Sequence, residues 1–238
     1  MKQPSLQSIR VLVLDIGGSN VKCVVTGRKR SVKFKSGTTM TPPLMMDALR
    51  LVAKRWDFDV VSIGYPGVVR QGGIACEPYN LGSGWIGFNF QEAFGRPVKI
   101  INDAAMQALG GYTGGKMLFL GLGTGLGSAM IIDDLVVELE LGHLPYSGGN
   151  TFEDYVGEEG RIRFGNKKWR GTVTDVIEVF RKALLPDYIV LGGGNASRLK
   201  ELPSETLLGN NNNALLGGFR LWSESSRPCS GNLLSNGL

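Results

Sequence analysis

The feature that most constrains this chain is a repeated strand, glycine turn and second strand. Val11-Leu12-Val13-Leu14-Asp15-Ile16-Gly17-Gly18 aligns with Met117-Leu118-Phe119-Leu120-Gly121-Leu122-Gly123-Thr124. A period of roughly a hundred residues is far too long for a solenoid and points to two related α/β lobes. Glycine supplies 35 of the 238 residues, about 15% against an average nearer 7%. The glycines cluster without a period of three, which excludes collagen. Charged residues are 20% and hydrophobic residues 42%, enough apolar material for a sizeable core and too much for bulk disorder.

Other function classes fall away on residue counts. Cys23, Cys76 and Cys229 show no CxxC spacing, so neither a disulfide framework nor a cysteine zinc site is expected. His143 is the single histidine, which excludes a site needing two. No stretch of 18 apolar residues occurs, so no membrane segment is expected, and a cytoplasmic protein is. The net charge of +5 comes with two basic clusters, Arg28–Lys35 and Arg161–Arg170. Each is either a solvated face or an attractor of polyanions. No helix-turn-helix or aromatic-basic module accompanies them, so no nucleic-acid partner is expected.

Strands are expected at Ile9–Leu14, Val21–Thr26, Asp59–Gly64, Val98–Ile101, Met117–Leu120, Ser128–Ile132 and Tyr188–Leu191. Helices are expected at Leu44–Lys54 and from Ala104. Residues 71–87 read as loop. Apolar positions 173, 176, 177, 180 and 184 give an amphipathic helix, with Thr172 and Asp175 resembling its start cap. The tail Ser223–Leu238 is expected to be poorly ordered.

Glycine turns let backbone N–H groups converge on an anion without interference from Cβ atoms. Two familiar phosphate motifs are excluded. Gly110–Lys116 has Walker A glycine spacing, but Met117 replaces the required Ser or Thr and a strand follows. Gly121–Gly127 lacks the third glycine of GxGxxG, and again a strand follows where a helix is needed. Two phosphate-type hairpins remain, each also readable as a plain tight turn. Asp15 is either a turn residue or a carboxylate that helps hold Mg2+ near phosphates. Lys22 either neutralises a phosphate or lies exposed. Asn102-Asp103 is either a helix N-cap or places a carboxylate at a strand end to accept a hydroxyl proton. Asn80, Glu140, His143 and Glu153 are hydrogen-bonding groups of the kind that hold sugar hydroxyls.

Taken in order, Asp15-Ile16-Gly17-Gly18-Ser19, Gly64-Tyr65-Pro66-Gly67, Asn80-Leu81, Asn102-Asp103, Gly121-Leu122-Gly123-Thr124-Gly125, Glu140-Leu141-Gly142-His143 and Leu191-Gly192-Gly193-Gly194 resemble the ROK family of sugar kinases. Residues 9–222 carry the resemblance. DIGGSNVK at Asp15–Lys22, ELGHLPY at Glu140–Tyr146, TFEDYVG at Thr151–Gly157, Lys167-Lys168-Trp169-Arg170 and Leu208–Trp222 are similar to the branch that phosphorylates glucose or mannose with inorganic polyphosphate, often alongside ATP. The resemblance implies an α/β, actin-like (ribonuclease H-like), two-lobed hexokinase-type ATPase fold. A small lobe would cover 1–103 and a large lobe 104–222, with the helix near 213–222 packing back on the small lobe. Leu144–Phe152 lacks the cysteines of the family's zinc motif, so no structural zinc is expected. The Asn210–Asn213 run departs from the branch.

The same resemblance implies the roles. Asp103 would be the general base on the sugar 6-hydroxyl. Asn80, Asn102, Glu140, His143, Glu153 and Gly67 would orient the sugar. Gly17, Gly18, Ser19 and Lys22 would face the transferred phosphoryl group, and Gly123, Thr124, Gly125, Gly193 and Gly194 the donor. Mg2+ would bridge donor oxygens with Asp15 near it through water. A homodimer is expected, because dimers are common in the family. The alternatives are an ATP-only hexose kinase with the same residues and a non-catalytic sugar-responsive regulator. Retention of Asp15, Asp103 and both hairpins argues against the regulator.

Overall fold

A computed structural model describes residues 9–210 and 212–223. The tail beyond Ser223 and Asn211 of the asparagine run lie outside the described residues. The chain divides between Asn102 and Asp103 into two compact units.

The first unit is built on β1 (Val11–Ile16), β2 (Asn20–Val25), β3 (Val32–Lys35), α1 (Pro42–Val52), β4 (Val60–Tyr65), β5 (Val69–Arg70), β6 (Gly73–Ile74), α2 (Phe90–Phe94) and β7 (Val98–Asn102). Its sheet has the order β3-β2-β1-β4-β7. β1 is antiparallel to β2 and parallel to β4, and β4 is parallel to β7. α1 starts two residues before its expected position. Pro42 and Pro43 occupy its first turn after Thr41, where a missing N–H costs nothing. Its Met45, Met46 and Leu49 join Leu12, Leu14, Ile16, Val61, Ile63 and Trp85 in one core. Full burial of side chains of this size contributes ~1.5–3 kcal/mol each. The segment 71–87 expected as loop holds β6, which pairs antiparallel with β5 just before it.

The second unit comprises α3 (Asp103–Gly111), β8 (Lys116–Leu122), β9 (Leu126–Ile132), β10 (Leu135–Leu139), β11 (Pro145–Ser147), β12 (Asn150–Thr151), α4 (Phe152–Val156), α5 (Glu158–Leu184), β13 (Tyr188–Gly192), β14 (Thr206–Leu208) and α6 (Asn213–Arg220). Its main sheet runs β10-β9-β8-β13-β14. The central strand β8 is antiparallel to β9 and parallel to β13, which is parallel to β14. Strand for strand this repeats the first unit, with β8 in the place of β1. The sequence repeat is therefore the visible trace of a duplicated sheet.

The expected helix start at Thr172 is corrected. α5 begins at Glu158 and passes Thr172 unbroken; its one non-helical residue is Gly165, at φ 72° and ψ 157°. The Thr172 hydroxyl donates back to the Lys168 carbonyl at 3.2 Å, the bond a mid-helix threonine makes. Trp169 is fully buried and its indole N–H donates to the Val156 carbonyl at 2.8 Å. α6 packs on α3 through glycines. A Cβ at Gly110 would overlap the Asn213 carbonyl, and one at Gly217 the Met106 carbonyl. No helix among the described residues is long and apolar enough to cross a membrane.

Candidate active site

In the first unit, Asp15 ends the apolar run of β1 and lies directly opposite Lys22 in the β1–β2 ladder. The Lys22 ammonium is 3.8 Å from the carboxylate, whose side chain is only 13% exposed. Burial pushes the Asp15 pKa up, and Lys22 opposes the shift. The turn between the strands is closed by Gly17 N–H donating to the Asn20 carbonyl at 3.0 Å. Ser36 ties the end of β3 to this turn. Its hydroxyl donates to the Gly17 carbonyl at 2.6 Å and its N–H to Ser19 at 3.2 Å.

The loop carrying Asn80 rests on the same turn. A Cβ at Gly18 would lie 2.8 Å from Asn80 Cβ, so glycine is required there for close approach. Sequence reasoning missed the residue that shapes this loop. Glu77 accepts the N–H groups of Gly84, Trp85 and Ile86 at 3.1–3.3 Å. An exposed glutamate among loop residues offered no periodic or motif signal. Gly67 and Asn102 are joined as well, the Asn102 amide donating to the Gly67 carbonyl at 3.1 Å.

In the second unit, Asp103 opens α3 and its Oδ1 accepts the N–H of Ala104 at 2.7 Å. Glu140, His143 and Glu153 come together although Glu153 follows a separate hairpin. His143 Nδ1 is 3.6 Å from Glu140 and its Nε2 is 3.6 Å from Glu153. Burial raises the Glu140 pKa, with Glu153 adding to the rise and His143 opposing it. Thr151 fixes the start of α4, and hence Glu153, by donating its N–H and hydroxyl to Asp154 at 2.7 and 2.8 Å.

This polar group adjoins the second glycine hairpin. Gly123-Thr124-Gly125 forms the tip between β8 and β9, and a Cβ at Gly125 would overlap Glu153 Oε2. The first N–H of α5, on Glu158, donates to the Gly123 and Thr124 carbonyls at 3.1 Å. The turn after β13 packs on the same tip. Gly193 sits at φ 80° with its Cα against Leu122, and Asn195 donates from N–H to the Leu122 carbonyl at 3.0 Å. Asn195 Nδ2 also reaches Glu158 at 2.8 Å. Glu158 is held at about 2 by Arg161 and Asn195.

The basic residues of α5 are largely engaged. Arg161 bonds Glu158, Lys168 lies 4.8 Å over the Phe164 ring, and Arg170 donates to the Arg198 carbonyl at 3.3 Å. Among the described residues, no group of three or more His, Cys, Asp or Glu is placed to hold a metal ion. Asp15 offers one carboxylate. That suits Mg2+ only when donor phosphates and water complete its six oxygens. A cavity of about 570 Å³ in the second unit, lined by Tyr112, Asp133, Asp134 and Arg220 among others, contains none of the expected site residues.

Two like sheets, each with a glycine hairpin at its central strand, define an α/β fold of the actin-like type seen in ROK hexokinase structures. The ROK family pattern matches residues 11–155, and the chain belongs to the ROK family. It is 28% identical over 202 residues to the polyphosphate glucokinase of Mycobacterium leprae (strain TN), covering 76% of this chain and 62% of that protein. It is 29% identical over 203 residues to the polyphosphate glucokinase of Mycobacterium tuberculosis (strain CDC 1551 / Oshkosh), covering 76% of each. Among solved structures it is similar to the inorganic polyphosphate/ATP-glucomannokinase of Arthrobacter sp. strain KM, with a TM-score of 0.75 at 23% identity. That match covers 89% of this chain and 97% of the other.

Proposed function

We propose that this chain is a hexose kinase that transfers a phosphoryl group from inorganic polyphosphate or ATP to the 6-hydroxyl of glucose or mannose. The observation that carries the proposal is the adjacency, within the second unit, of Glu140, His143 and Glu153 to the glycine tip 123–125. Three hydrogen-bonding side chains suited to sugar hydroxyls abut a turn suited to phosphate. The polyphosphate glucokinases named above support the choice of donor and acceptor.

Asp103 is the base that takes the proton of the 6-hydroxyl. Phosphoryl transfer asks mainly for positioning and charge stabilisation, and a base of this kind contributes ~10²–10⁴-fold. Glu140, His143 and Glu153 hold other hydroxyls, and Asn80, Gly67 and Asn102 form the sugar-side elements of the first unit. The N–H groups of Gly17, Gly18 and Ser19 meet the transferred group, with Lys22 near it. Gly123, Thr124, Gly125, Gly193 and Gly194 line the donor. Mg2+, when bound, neutralises charge on donor oxygens, and Asp15 would hold it through water.

The test is sugar 6-phosphate formation by purified, nucleotide-free protein over glucose and mannose against ATP and polyphosphate. Product with polyphosphate is expected. Product with ATP alone would leave a nucleotide-only kinase, and no product with any pair would overturn the proposal.

A further inference from the structure

The basic run at Arg28–Lys35 is not a diffuse charged surface. Its second half is β3, the edge strand of the first sheet. In the ladders Asp15 lies opposite Lys22, Lys22 opposite Lys33, and Asn20 opposite Lys35. Directly paired residues of antiparallel strands share a face. Asp15, Lys22 and Lys33 therefore form one row across three strands, and Lys35 stands one row nearer the glycine turn. The intervening Val32 and Phe34 pack against the core, while Lys33 and Lys35 are exposed. Neighbouring lysines are then ~5 Å apart across the strands and ~7 Å apart along them.

This arrangement has an electrostatic cost. Like charges placed directly opposite each other destabilise a sheet. Lys22 is offset by Asp15 at 3.8 Å, but Lys33 and Lys35 have no carboxylate partner among the described residues. Edge strands carry lysine to prevent edge-to-edge pairing, yet that purpose does not require one lysine across from another. The row is also joined to the phosphate turn. Ser36, the residue after Lys35, makes both of the hydrogen bonds that tie β3 to Gly17 and Ser19. By contrast, the basic side chains of α5 are largely committed to Glu158, Phe164 and Arg198.

We infer that Lys33 and Lys35, extending the row that Lys22 begins, form a cationic face that holds the distal phosphates of a linear inorganic polyphosphate while its terminal group lies at the Gly17–Ser19 turn beside Lys22. This rests on the polyphosphate reading of the donor and extends it to residues that grip the chain. A nucleoside triphosphate is too short to need this face. Removing Lys33 and Lys35 therefore weakens long polyphosphate and spares ATP.

The test uses K33A/K35A beside wild type and K167A/K168A/R170A. Binding of long-chain inorganic polyphosphate is measured directly at several salt concentrations, and ATP-driven sugar phosphorylation serves as the folding control. K33A/K35A is expected to bind polyphosphate about tenfold more weakly at 0.1 M salt. Its slope of log affinity against log salt should fall by roughly one to two units as two phosphate contacts are lost. ATP turnover should stay within about twofold of wild type. Unchanged polyphosphate affinity in K33A/K35A overturns the inference, as does an equal loss with ATP. So does absence of polyphosphate binding by wild type, or a loss found only in the α5 variant. Duplex DNA binding as tightly through the same lysines would overturn it in favour of a nucleic-acid surface. If wild type binds polyphosphate through these lysines yet phosphorylates sugar only with ATP, the donor reading fails and the anion face stands.

Discussion

Gly125→Ala separates the active arrangement from the fold. Gly125 lies outside the left-handed region, so alanine can adopt its backbone. The added Cβ would overlap Glu153 Oε2 and lie 3.2 Å from Cδ. Glu153 is 35% exposed and its bond to the Leu126 N–H is long, at 3.5 Å. Its carboxylate can therefore swing into solvent at a stability cost under about 1 kcal/mol. The swing breaks the 3.6 Å contact with His143 and, if Glu153 holds a sugar hydroxyl as proposed, withdraws one charged hydrogen-bonding group from the sugar. Such a bond is worth roughly 1.5–3 kcal/mol, or about 10- to 150-fold in kcat/KM. Steady-state kinetics at saturating donor, paired with urea unfolding, reads both quantities. Glu153→Ala should show a similar loss, and G125A/E153A should be no worse than E153A alone. Unchanged kcat/KM in Gly125→Ala, or additive losses in the double variant, would refute the reasoning.

Gly217→Ala places a Cβ into the Met106 carbonyl where α6 crosses α3. Urea unfolding should show a loss of about 3 kcal/mol or more, since backbone cannot yield as a side chain does. Gly18→Ala forces Asn80 away from the first turn and should raise the sugar KM by roughly tenfold, read from initial rates. Glu158 is held at about 2 by Arg161 and Asn195. Its pKa is lowered on folding, so its stabilisation is present above the ordinary glutamate range and is lost as pH falls toward 2. Thermal unfolding of Glu158→Gln should therefore show a deficit at pH 7 that narrows steadily by pH 3.

The duplicated sheet was legible because a buried central strand leaves a continuous apolar run, and each run here ends in glycines. Asp15, Asp103 and the hairpin glycines stand out for the same reason. They interrupt apolar strands or follow them directly. Other features depend on contacts between residues far apart in the chain. Glu77 shapes the Asn80 loop from a segment without periodicity. The α3–α6 crossing shows only as glycines whose partners lie a hundred residues away. The start of α5 was obscured because Gly165 interrupts its helical backbone, while the apolar period becomes regular only from Val173. The lysine face depends on the β2–β3 register, which a short edge strand does not reveal in composition.

Asp103, at the start of α3, is the residue proposed to take the proton from the sugar hydroxyl. Asp103→Asn keeps the shape of the side chain and removes its basicity. Turnover of glucose and equilibrium binding of glucose should be measured on the same preparation. We expect kcat lower by ~10²–10⁴-fold, with glucose affinity within a few-fold of wild type. Near wild-type turnover in Asp103→Asn would contradict it.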